Sequence, residues 1–125
     1  MIAHNEVKEK SLAFAKRVVN AYRYLCEEKN EYVLSKQFLR SGTSIGANIS
    51  EAQYASSKKD FLNKMYIALK ECAETEYWIE ILMGCNAIDE MCGKSLLQEC
   101  GVIRRMLAKS ITTAKGNQES EEKHR

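Results

Sequence analysis

A chain of 125 residues is long enough for one domain and too short for two comfortable ones. Apolar residues make up 45% of it, proline is absent and the formal charge is only +2, a mix that favours one helical core. The composition excludes a strongly basic nucleic-acid binder, and no apolar run approaches the roughly 20 residues of a membrane span.

Four helices follow from the apolar rhythm, taken in chain order. The first is predicted over roughly 5–28, where Val7, Phe14, Val18, Tyr22 and Leu25 recur at steps of three and four, and Lys29-Asn30 closes it. The second is predicted over 32–53, with Leu34, Phe38, Ser41, Ile45, Ile49 and Ala52 on one stripe. Gly42 and Gly46 lie on one flank of that stripe, and Arg40, Ser44, Asn48 and Glu51 form a polar row on the other.

Ser56 or Ser57 then serves as an N-cap, with Asp60 near the positive helix start, and opens a third helix over about 58–86. Its main stripe reads Phe61, Met65, Ala68, Leu69, Cys72, Ile79 and Met83, with Glu76 inside it. Ile67, Trp78, Ile81 and Cys85 give it a second apolar side. Asp89 caps the fourth helix, which carries Leu96, Cys100, Ile103, Met106, Leu107 and Ile111 and ends near 114. Four amphipathic helices with short joins predict an all-α, antiparallel up-down-up-down four-helix bundle over 1–115. Residues 116–125 are polar and without period, and read as a disordered tail.

Catalytic and metal chemistry find little support. His4 and His124 sit at the termini, and the Glu-x-x-His pairs of a di-iron bundle are absent. The spacings of Cys26, Cys72, Cys85, Cys92 and Cys100 fit no zinc site. Odd in number and preceded by a charged start rather than a secretory leader, they are expected to be reduced thiols in a cytoplasmic protein. Glu71, Glu74 and Glu76 cluster, but no histidine or paired lysine completes an acid–base set. No glycine-rich phosphate loop occurs between a strand and a helix. The expectation is a non-enzyme without cofactor or metal.

The segment from Arg40 to Ala52 is the most unusual stretch. Each glycine inside a helix costs about 1 kcal/mol relative to alanine, so close packing is expected at Gly42 and Gly46, within the chain or between chains. Arg40 and Glu51, eleven residues apart, are separated by about 16 Å along the axis and need partners elsewhere. Arg40 or Asn48 is expected to meet Glu74 and Glu76 in a structural polar network with Ser44 and Glu51. A ligand pocket or an RNA-contacting patch is the functional alternative. Ile67, Trp78 and Ile81 are candidates for an oligomer interface unless the third helix is the central one.

The run SKQFLRSGTSIGANISEA, followed by SSKKDFLNKMYIALKECAETEYWIEIL, resembles the four-helix-bundle family of 23S ribosomal RNA intervening-sequence proteins. The resemblance is close over about 33–82 and rests on Arg40-Ser41, Ser44-Ile45, Asn48-Ile49, Glu51, Ser57, Asp60-Phe61, Ile67-Ala68-Leu69 and Ala73-Glu74 with Glu76. Lys70-Glu71 departs from the Gly-Ser of many relatives.

The resemblance implies a small bundle without enzymatic activity, assembling as a ring-like homopentamer. Some relatives are encoded within insertions in ribosomal RNA genes, which implies association with RNA or a ribonucleoprotein. A related bundle is the accessory subunit of a diversity-generating retroelement reverse transcriptase, so a protein-interaction scaffold is the alternative. Candidate nucleic-acid contacts are Lys16, Arg17 and Arg23 on the first helix and Arg104, Arg105 and Lys109 on the fourth, against the plain reading of solvated charged faces.

Overall fold

The computed structural model describes the backbone over residues 2–123 and side chains over residues 6–116. Four helices account for it: α1 (Ile2–Lys29), α2 (Leu34–Ala52), α3 (Lys58–Gly84) and α4 (Glu90–Lys123). Each joint has a local cause. Asn30 and Asn86 adopt positive φ (52° and 62°), a conformation asparagine tolerates, and end α1 and α3. After α3 the Ala87 N–H returns to the Leu82 carbonyl at 2.9 Å, satisfying one of the last orphan acceptors.

The starts are capped by side chains. Glu31, ahead of α2, accepts from the Leu34 and Ser35 N–H groups at 3.0 and 2.7 Å. Ser57 accepts from the Asp60 N–H at 3.1 Å, while the Asp60 carboxylate accepts from the Ser56 N–H at 3.2 Å. Asp89 accepts from the Cys92 N–H at 2.7 Å. Ser57 and Asp89 are thus the caps that the sequence indicates; Glu31, a long acid one turn back, escapes the usual Ser/Thr/Asp/Asn rule.

The helices pack in a ring, α1 on α2, α2 on α3, α3 on α4 and α4 back on α1, giving the antiparallel four-helix bundle. The α2–α3 seam is the most extensive and the α1–α4 seam the least. Val7, Phe14, Val18 and Leu25 of α1 meet Phe38, Ile45 and Ile49 of α2, Met65, Cys72, Ile79 and Leu82 of α3, and Leu96, Cys100, Ile103 and Leu107 of α4.

The register of α3 differs from the sequence reading. Its buried line is Leu62, Met65, Ala68, Cys72, Thr75, Ile79 and Leu82, whereas Phe61, Leu69 and Met83 are half-buried. A helix flanked by α2 on one side and α4 on the other is apolar on both, so periodicity alone leaves its rotation open. Thr75 enters the core because its hydroxyl donates to the Glu71 carbonyl at 2.7 Å.

The α4 backbone runs helical to Lys123, beyond the end near 114 that the apolar rhythm gives, since no proline stops it. Apart from Gly116, the tail expected over 116–125 lies outside the residues whose side chains are described, as do the side chains of His4 and His124.

Candidate functional site

The polar flank of α2 faces α3. The Arg40 guanidinium spans two carboxylates one turn apart on α3, donating to Glu71 Oε2 at 3.1 Å and, more tightly, to Glu74 Oε2. Trp78, one turn further along α3, donates its indole N–H to Glu74 Oε2 at 3.0 Å. The Trp78 hydrogen bond, reinforced by Arg40, holds the Glu74 carboxyl below its ordinary pKa. Glu71 retains 16% of its side-chain exposure, against 49% for Arg40. A carboxylate held ionised by two donors is a poor general acid, so the chemistry of this cluster is cross-linking of helices.

The rest of the row has separate partners. Asn48 donates to the Ser44 carbonyl of its own helix at 2.9 Å. Glu51 pairs with Lys64 of α3 at 3.3 Å. Glu76 is turned to the other side of α3 and accepts from Arg104 Nε of α4 at 2.9 Å. Arg40 therefore meets Glu71 and Glu74, while Glu76 ties α3 to α4. The expected network named Glu74 and Glu76 as partners and not Glu71, whose i, i+3 relation to Glu74 was the signal that both could face one cation.

The glycine flank faces α1. A Cβ on Gly42 would stand 2.8 Å from both γ-carbons of Val18, and one on Gly46 would stand 3.2 Å from the Ser11 hydroxyl. Close approach of α1 and α2 within the chain accounts for Gly42, while the contact at Gly46 is looser.

Ile67, Trp78 and Ile81 are all half-buried. Trp78 packs against the core, and the exposed ring of Tyr77 meets it edge-on with centroids 5.3 Å apart. These residues line the outer side of α3.

The six candidate cations lie on α1 and α4. Lys16, Arg23, Arg105 and Lys109 are exposed. Arg17 donates to Ser95 of α4 at 3.1 Å and stands 3.2 Å from Glu99 Oε2, though without the alignment of a hydrogen bond to that oxygen. Arg17 and Arg104 thus also lace α4 to its neighbours.

All five cysteines are free thiols. Cys72 and Cys100 are buried, Cys100 donating to the Cys72 carbonyl at 3.5 Å. Hydrogen bonding with Cys100, then burial, pushes the Cys72 thiol well above its ordinary pKa. Among the described residues, no three His, Cys, Asp or Glu side chains gather as a metal site, and no helix is long and apolar enough to cross a membrane. One open groove lies at the end of the bundle formed by the α3–α4 turn, lined by Tyr24, Lys29, Glu80, Met83, Asn86 and Asp89.

Comparison with known proteins bears on this arrangement at the level of the family. No curated protein matches the chain. A solved crystal structure of a protein of unknown function, from the S23 ribosomal protein family of Bacteroides thetaiotaomicron VPI-5482, is 50% identical. It superposes with a TM-score of 0.87, covering 88% of this chain and 98% of that one. A model of the 23S rRNA-intervening sequence proteins matches residues 3–109. With nearly the whole bundle matched, the chain belongs to the 23S rRNA-intervening sequence protein family.

Proposed function

We propose that this protein is a non-enzymatic, self-associating bundle that binds ribosomal or other structured RNA in the cytoplasm. The observation that carries the reading is the family match over residues 3–109, whose description ties these proteins to 23S rRNA. The half-identical relative of the S23 ribosomal protein family supports the same direction. Five thiols with no disulfide fit a reducing compartment.

Self-association is supported by α3, where Ile67, Tyr77, Trp78 and Ile81 remain partly open, and a ring of five is the assembly that the family resemblance implies. Repeating a weakly basic surface around a ring raises avidity without any stronger single contact. Light scattering on a size-exclusion column tests assembly, and a monomer near 14.3 kDa refutes it. Filter binding to structured RNA tests the partner: affinity is expected to fall steeply as salt rises. Absence of binding at low salt, or affinity indifferent to salt, overturns the RNA reading.

A further inference from the structure

We draw no further inference here: the strongest candidate, the open groove at the end of the bundle formed by the α3–α4 turn and lined by Tyr24, Lys29, Glu80 and Met83, is a surface groove bearing charges of both signs, and nothing in the structure shows what covers it.

Discussion

Alanine substitution at the two glycines of α2 should have different effects on stability. No glycine has a positive φ, so alanine fits the backbone at both, and intrinsic propensity favours it by about 1 kcal/mol. At Gly42 that gain meets Val18, whose γ-carbons would lie 2.8 Å from the new methyl. Val18 is wholly buried, and a β-branched side chain in a helix has one strongly preferred rotamer, so it cannot swing aside. Relief requires α1 and α2 to separate, at an overpacking cost of about 1–3 kcal/mol. The net expectation is destabilisation by up to about 2 kcal/mol. At Gly46 the neighbour is the Ser11 hydroxyl at 3.2 Å, which can yield by a small rotation at the expense of its 2.8 Å bond to the Lys8 carbonyl. Gly46→Ala should be neutral or stabilising by up to about 1 kcal/mol.

Urea unfolding followed by helical circular dichroism, at one fixed protein concentration, measures both. Combining Gly42→Ala with Val18→Ala should show coupling of about 1 kcal/mol or more, since the smaller residue removes the clash. If Gly42→Ala stabilises the protein by the full propensity gain, close approach of α1 is not what the glycine serves.

Further outcomes follow from the charge network and the thiols. Because Glu74 has a folded pKa below its ordinary value of 4.5, its contribution to stability is full above that value and is lost as pH falls through the folded pKa. Glu74→Gln should therefore flatten the acid loss of the urea midpoint below about pH 5, and Trp78→Phe should raise the Glu74 pKa in an NMR titration. Arg40→Ala, which strands a largely shielded Glu71 as well as Glu74, should cost about 1–2 kcal/mol, and Arg104→Ala, with one half-exposed pair, under about 1 kcal/mol; equal costs would remove the distinction. A thiol reagent should modify exposed Cys85 quickly and reach Cys72 and Cys100 only on unfolding, so early loss of those two would contradict their burial.

How much of this was legible in the sequence depends on how many sides of a helix are occupied. The helix α2 has one apolar stripe, and Phe38, Ser41, Ile45, Ile49 and Ala52 are all buried as its rhythm implies. The helix α3 has two, and there the reading lost its phase: Leu62 and Leu82 replace Phe61 and Met83 in the core. The same ambiguity hid the pairing of the acids. Glu76 looked central because it shares a stripe with Cys72 and Ile79, yet it turns towards α4 and meets Arg104. Partner choice is a property of two helices in register, and one helix's period does not contain it. The exposure of Tyr54 was missed because an aromatic just before a serine turn breaks no rule of helix pattern.

The three strips of α2 explain why the segment that identifies the family says little about what the protein touches. Its apolar stripe is in the core, its glycine flank is closed by Val18 and Ser11, and its Arg40 is tied to Glu71 and Glu74. A helix so engaged with two neighbours has few side chains left for a partner. The less engaged surfaces are elsewhere: the partly open side of α3, the cations of α1 and α4, and the exposed Tyr54 at the α2–α3 joint. The last two differ in kind. Among those cations Arg17 already serves Glu99 across the α1–α4 seam and Arg104 serves Glu76 across the α3–α4 seam, so replacing them disturbs packing as well as charge. Tyr54 makes no comparable contribution to the core, and Tyr54→Ala should leave the urea midpoint within about 0.5 kcal/mol of wild type. A larger loss would mean that the ring supports the α2–α3 joint despite its exposure.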